Sequence, residues 1–206
     1  EGIIIKDGTE YTDVPISFNL DKIDKDKNFV LPISIVSTSE YRIGEPKYST
    51  ILMNVVLSNA YTGTYSLSGT IREVSTGDFI DVRMTRTLRV VDPSTVSLYA
   101  GNTSERVSNR ENYRMNMTVN ADSTLTFTPL HPDIIEINRD EPNLDPKNPR
   151  NKILVERTVD VQNSHKSYIV TTFYMYYNYI DKTDPADPVE MRWEGTCSRT
   201  KTVFTK

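Results

Sequence analysis

Cysteine occurs once in this 206-residue chain, as Cys197, histidine twice and tryptophan once. A single thiol excludes an intrachain disulfide and any metal cage built from several cysteines. Flanked by Thr196 and Ser198, Cys197 reads as a mid-strand residue, where a free thiol acts as a small apolar filler. His131 lies in Leu130-His131-Pro132 and His165 in Asn163-Ser164-His165-Lys166, both turn-like settings with no motif to pair them with a nucleophile. No apolar run reaches the roughly 18 residues that a membrane-spanning helix needs. An excess of positive charge is missing too. With 24 Lys+Arg against 28 Asp+Glu, the net charge is −4, and the basic footprint that binding to a phosphate backbone requires is absent. No phosphate loop, zinc spacing or nucleophile elbow is present, so the expectation is no cofactor, no metal, no nucleic-acid partner and no enzymatic activity.

Alanine and leucine together supply only 15 residues, whereas threonine, valine, isoleucine and tyrosine supply 71. β-Branched and ring side chains lose rotamer freedom on a helix and pack well on a pleated sheet, so the chain is expected to be all-β. Alternation of apolar and polar residues locates the strands. Val14, Ile16, Phe18 and Leu20 form one such run. Phe29, Leu31, Ile33 and Ile35 form a second, with Pro32 hinting at an edge, and Ile51, Met53, Val55 and Leu57 a third. These are too few to enclose a sandwich core, and residues 1–58 read as the C-terminal part of an immunoglobulin-like β-sandwich whose first half is missing. The opening Glu1-Gly2-Ile3, without initiator methionine or signal peptide, reads as a processed or shortened chain.

From Ser58-Asn59-Ala60 onward the strands lengthen and are joined by turns. Runs at Tyr61–Ile71, Phe79–Val91, Val96–Tyr99 (short enough for a strand or one helical turn), Tyr113–Val119, Leu125–Phe127, Ile134–Ile137, Ile153–Val161, Tyr168–Tyr179 and Val189–Val203 are punctuated by Ser75-Thr76-Gly77-Asp78, Asp92-Pro93-Ser94 and similar turn signals. Residues 139–152, with three prolines and dense charge, read as a mobile hairpin loop. Residues 59–206 are thus expected to form a roughly eight-stranded, antiparallel, lipocalin-like β-barrel.

On the last strand, Glu190, Arg192 and Glu194 must face water, which turns Val189, Met191, Trp193, Gly195 and Cys197 inward. The same parity raises an anomaly. Arg86 shares the apolar face of Ile80, Val82, Met84, Leu88 and Val90, and Arg157 that of Val155, Val159 and Val161. A guanidinium in a dry interior costs several kcal/mol unless it is paired and hydrogen-bonded. Either the two arginines line a polar cavity that grips an anionic or hydroxyl-rich ligand, or they snorkel at the barrel mouth or pair with internal carboxylates. Tyr168, Tyr174 and Tyr176 share one face of their strand, with Tyr177 and Tyr179 on the other. Exposed tyrosines stack on the C–H faces of sugars and hydrogen-bond their hydroxyls, but strand tyrosines also serve as half-buried packing. Arg86, Arg157, Tyr174 and Tyr176 are therefore the candidate ligand-binding residues. The acidic repeats Asp181, Asp184, Asp187, Glu190 and Asp21, Asp24, Asp26 lack the spacing and the turn glycine of a calcium loop and read as solvated loop charge. The Asn-x-Ser/Thr matches at Asn102 and Asn116 are at chance level in so threonine-rich a chain, and no carboxylate pair for glycoside hydrolysis can be picked out.

The run Val14-Pro15-Ile16-Ser17-Phe18-Asn19-Leu20-Asp21-Lys22, followed by Asn28-Phe29-Val30-Leu31-Pro32-Ile33-Ser34-Ile35 and Ser37-Thr38-Ser39-Glu40-Tyr41, resembles the second half of the N-terminal domain of unknown function in surface lipoproteins of gut Bacteroidota. Tyr61-Thr62-Gly63-Thr64-Tyr65, Phe173-Tyr174-Met175-Tyr176-Tyr177 and Trp193-Glu194-Gly195-Thr196 are similar to the C-terminal domain that often follows it. The resemblance implies a lipid-anchored outer-membrane protein at the cell surface, associated with glycan-utilisation loci, whose partners are polysaccharide or oligosaccharide and outer-membrane glycan-uptake proteins. It implies no functional residues, and membrane attachment would run only through a lipid anchor outside this chain. The expected function is a non-catalytic glycan-binding surface domain. The rivals are a structural or adhesin-like spacer and a lipocalin-like carrier of a small ligand.

Overall fold

The computed structural model describes residues 3–4, 12–19, 22–23, 27, 29–39, 42–43, 45, 47, 49–138 and 150–204. The expected acidic cluster Asp21, Asp24 and Asp26, the pair Glu40 and Tyr41, and most of the expected loop at 139–152 lie outside them. The described chain is all-β, its only helical segments being single 3-10 turns.

Two strands, β1 (Phe29–Ser34) and β2 (Thr50–Val55), pair antiparallel as a separate two-stranded sheet, with Phe29 opposite Val55 and Ile33 opposite Ile51. Of the alternating run Val14, Ile16, Phe18 and Leu20, Leu20 lies outside the described residues; the other three form no strand, contrary to expectation, and their side chains are exposed. Alternation marks a surface suited to a sheet, but a strand exists only where a neighbouring edge takes up its hydrogen bonds.

The remaining nine strands form one antiparallel sheet. They are β3 (Gly63–Glu73), β4 (Phe79–Val90), β5 (Thr95–Tyr99), β6 (Arg114–Val119), β7 (Leu125–Pro129), β8 (Ile135–Asn138), β9 (Lys152–Val159), β10 (Lys166–Asp181) and β11 (Val189–Phe204). Their spatial order is β7-β6-β5-β4-β3-β11-β10-β8, with β9 also on β10. The sheet's first and last strands in sequence, β3 and β11, are therefore neighbours, and the sheet curls into a nearly closed eight-stranded barrel. β10 is long enough for two partners in tandem on one edge: β9 opposite Ser167–Tyr174 and β8 opposite Asn178–Asp181.

The seam lies between β7 and these two strands. Asn151 closes it. Its carbonyl accepts from Leu125 N–H at 2.7 Å, and its side-chain oxygen accepts from the Tyr176 N–H at 2.7 Å, in the gap that β8 and β9 leave along β10. Ile153 N–H adds a bond to Ser123 O at 3.0 Å. At the other end of the sequence Asn59 pins the incoming chain. Its oxygen accepts from Tyr61 and Thr62, and its amide donates to the Asp92 and Thr95 carbonyls in the β4–β5 turn.

The barrel interior is filled by side chains, as the width of an eight-stranded barrel allows. Trp193, Tyr65, Tyr177, Phe173, Leu88, Met115 and Met117 are fully buried. Trp193 lies across the facing glycines Gly69 and Gly195, whose backbones approach so closely that a Cβ on Gly195 would sit 2.8 Å from Trp193 Cζ2 and 2.7 Å from Gly69 Cα.

Candidate functional site

Arg86 is completely buried, on the face of β4 that faces the core. Its two terminal nitrogens donate to backbone carbonyls of the segment after β5: Nη1 to Thr103 O at 2.6 Å and Nη2 to Gly101 O at 2.9 Å. Nε has no partner among the described residues. Gly101 is held from both sides, since its N–H donates to the Tyr177 hydroxyl at 2.9 Å. Its φ is +55°, and a Cβ at this position would lie only 2.7 Å from the Tyr179 hydroxyl, so the place is reserved for glycine. The lock continues at Glu105, which accepts the Thr87 N–H at 2.6 Å on the edge of β4 that β5 covers only at Arg89 and Val90. Burial lowers the Arg86 pKa from its ordinary value and raises that of the Tyr177 phenol.

Arg157 is placed differently. It keeps the parity of Val155 and Val159, but these valines are more than half exposed and Arg157 is exposed with them, its Nη2 donating to Ser167 Oγ at 3.3 Å. Beyond Ile153, β9 has only β10 beside it among the described residues and runs past the seam, so its inward parity no longer means a covered interior. The dry-interior setting expected for Arg157 is thus not found, and Arg86 and Arg157 share no cavity. The second inward arginine is Arg199, two residues beyond Cys197 on the core-facing parity of β11. It donates to Thr62 O at 2.6 Å and covers the Tyr65 ring at 4.6 Å. Tyr65 lies between the two cations in register, opposite Arg86 on β4, and burial pushes its phenol up to about 12. Continuing the parity of Trp193 and Cys197 by one step would have identified Arg199 from the sequence.

The two candidate tyrosines lie on the outer face of the wall. Tyr174 is half-buried, and its hydroxyl has no partner among the described residues. Tyr176 is buried beneath two guanidiniums, with Arg150 at 3.8 Å and Arg192 at 5.7 Å from its ring centre. Register builds the surface around them. One transverse row runs Arg83, Ser68, Thr196, Tyr174, Lys152, and the next Thr85, Ser66, Ser198, Thr172. The hydroxyls of Ser66, Ser68, Thr85, Thr172, Thr196 and Ser198 make no side-chain hydrogen bond among the described residues. In contrast, hydroxyls in the turns, such as Ser75 and Thr124, are bonded to neighbouring carboxylates. An open groove of about 310 Å³ lies at the end of this field, lined by Thr64, Ser66, Thr85, Ser198 and Thr200 together with Tyr65 and Arg199. Such a surface offers donors and acceptors at fixed strand spacing with an aromatic ring at one side, which suits a polyhydroxylated ligand. Alternation alone identified the tyrosines; the hydroxyl rows emerge only from the pairing of strands distant in sequence.

Among the described residues no group of three or more histidine, cysteine, aspartate or glutamate side chains is placed to hold a metal ion, and no helix is long and apolar enough to cross a membrane.

A family model described as "-like, C-terminal" matches residues 49–198. No curated protein matches the chain. Solved structures share its fold. A multidomain protein including DUF1735 from Bacteroides ovatus aligns with a TM-score of 0.64 and 22% identity over 91% of this chain and 70% of its own. A protein of unknown function from Bacteroides ovatus aligns at 0.63 and 18% over 91% and 62%. An auxiliary nutrient binding protein from Bacteroides thetaiotaomicron aligns at 0.55 and 17% over 84% and 57%. The chain therefore spans between 57% and 70% of the length of these three proteins.

Proposed function

The chain belongs to the C-terminal-domain family whose model covers residues 49–198, and from that premise we propose that it is a non-catalytic binding domain that holds saccharide chains through the outer wall of its barrel. The observation that carries this reading is the field of unpartnered serine and threonine hydroxyls beside Tyr174. The likeness of fold to an auxiliary nutrient binding protein supports a nutrient-holding role. In the same proposal the full-length protein is lipid-anchored at the outer-membrane surface and delivers glycan to outer-membrane uptake proteins. Residues 1–58 and 59–206 act in it as separate domains. A packed interior favours the wall over the lumen as the binding surface.

The test is affinity electrophoresis of the full chain through gels containing a panel of soluble polysaccharides. At least one polymer retards the wild type, and Tyr174→Ala weakens that interaction about tenfold, or ~1.4 kcal/mol, while Thr196→Val weakens it less. Mobility unchanged by every polymer would overturn the reading.

A further inference from the structure

Resting on that reading, we infer that the wall selects saccharides carrying anionic groups, through a cationic site built around Tyr176. The whole chain carries a net charge of −4, yet three cations, Arg150, Arg192 and Lys152, flank the two tyrosines on the wall. Arg150 and Arg192 both lie within cation–π range of the Tyr176 ring, and Lys152 stands directly opposite Tyr174 across the β9–β10 pair. Three carboxylates border this ground among the described residues: Glu194, opposite Tyr176 on β11 and 3.9 Å from Arg150 Nη2, Asp122, whose carboxyl feels the Lys152 charge, and Glu190, which accepts from Asn178 Nδ2 at 3.1 Å. Only Glu194 contacts an arginine of the pair, and its distance is long for a bidentate contact.

The Tyr176 ring orients the two guanidiniums without consuming their donors, because the attraction runs from the charge to the π-face. Arg192 uses Nε to donate to Asn178 Oδ1 at 3.0 Å. Among the described residues its terminal nitrogens have no hydrogen-bond partner, and Arg150 has only the long contact to Glu194 besides the ring. Tyr176 is in turn fixed by its N–H bond to Asn151 at the seam. A planar fork with free N–H groups, held in place by a buried ring, is suited to a carboxylate or sulfate ester. Here Lys152 adds a point charge and Tyr174 and Thr196 supply neighbouring hydroxyls. The shared ligand chemistry is an anionic substituent on a sugar ring, uronate or sulfate.

The experiment compares the affinity of the full chain for polygalacturonate, its fully methyl-esterified form, dextran sulfate and unmodified dextran, with poly-glutamate as a polyanion that is not a saccharide. Polygalacturonate or dextran sulfate, whichever is the true class, binds at least tenfold more tightly than its neutral counterpart, and more weakly as salt is raised. Arg150→Gln with Arg192→Gln abolishes that preference, and the exposed Lys152→Gln, which leaves the Tyr176 stack in place, reduces it severalfold. Circular dichroism of each variant checks that it is folded. Equal binding of acidic and neutral polymers, with sensitivity to Tyr174→Ala retained, overturns the anionic preference and leaves the saccharide reading standing. Poly-glutamate binding as tightly as polygalacturonate and dextran sulfate overturns the inference as well. Binding of none of the polymers overturns both.

Discussion

Replacing Arg86 with methionine keeps most of the stem's volume and deletes the guanidinium, so it isolates what that buried charge does. Two effects oppose each other. Losing the charge relieves a desolvation penalty of several kcal/mol, consistent with the lowered Arg86 pKa. Against this, the carbonyls of Gly101 and Thr103 lose charged donors at 2.9 and 2.6 Å. Each buried carbonyl left without a partner costs about 1–3 kcal/mol. Methionine cannot replace either bond, and backbone carbonyls cannot be neutralised by a compensating side-chain change. The Gly101 segment also loses the contact that keeps its N–H on Tyr177. The second effect wins, with a net loss of about 2–4 kcal/mol. For a chain of this size that lowers Tm by roughly 5–15 °C. Thermal melts followed by circular dichroism measure the loss, and hydrogen exchange at the Gly101 amide locates it. A Tm equal to or above wild type, with Gly101 still protected, would refute the structural role and return Arg86 to the ligand-gripping role that its parity first suggested.

Two further outcomes follow from the packed interior. Burial pushes the Cys197 thiol and the Tyr65 phenol each up to about 12 and raises Tyr177 and Tyr179 as well. The folded chain therefore keeps protons that the unfolded chain has lost, so stability is complete below the unfolded values near 9 and 10 and falls as pH climbs toward the folded ones. Urea midpoints stay level from about pH 7 to 8.5 and drop by about pH 10.5; an unchanged midpoint there contradicts the burial of these groups. Gly195→Ala forces a Cβ against Ser68 O, Gly69 Cα and Trp193, costs about 2–3 kcal/mol and lowers the urea midpoint accordingly, whereas an unaltered midpoint would show that the two backbones do not meet so closely.

Most strands of the barrel were legible because they have one dry face, and a period of two then marks both the strand and its orientation; β5 is buried on both faces and β9 is exposed along most of its length. Trp193 inward and Glu194 outward follow from the same parity, and both are found. Parity cannot report how far along a strand the covering layer extends. Arg86 and Arg157 have the same local pattern, but β4 is sealed over Arg86 by the Gly101–Glu105 segment while β9 projects past the seam. The covering segment over Arg86 begins 15 residues further along the chain, beyond the reach of alternation. The run from Val14 failed for a related reason: it has the pattern, but residues 12–19 have no strand partner among the described residues. Asn151 left no periodic signal at all. It works through a single left-handed residue, φ +51°, whose side chain substitutes for a missing strand carbonyl. The burial of Tyr176 depends on the same closure, because Arg150 reaches the ring from the residue just before Asn151.

A filled barrel also bears on where recognition can occur. To admit a ligand, the lumen would have to expel Trp193, Tyr65 or Phe173, each packed at no more than a few per cent exposure, or break the Arg86 bonds that close its side. Large-to-small openings of such a core cost several kcal/mol each before any contact with ligand is made. The outer wall carries no such penalty. Its hydroxyls are already solvated, and the ladder between β3, β11 and β10 fixes their spacing at about 4.8 Å from strand to strand, while the core behind them holds the backbone still. A ligand that meets this wall gives up its own freedom but asks for little reordering of the protein, and that reordering cost is the part of binding a rigid scaffold removes. The buried Arg86 and the exposed hydroxyls are in this way two halves of one arrangement: the first stiffens the barrel from within, and the second use that stiffness on the outside.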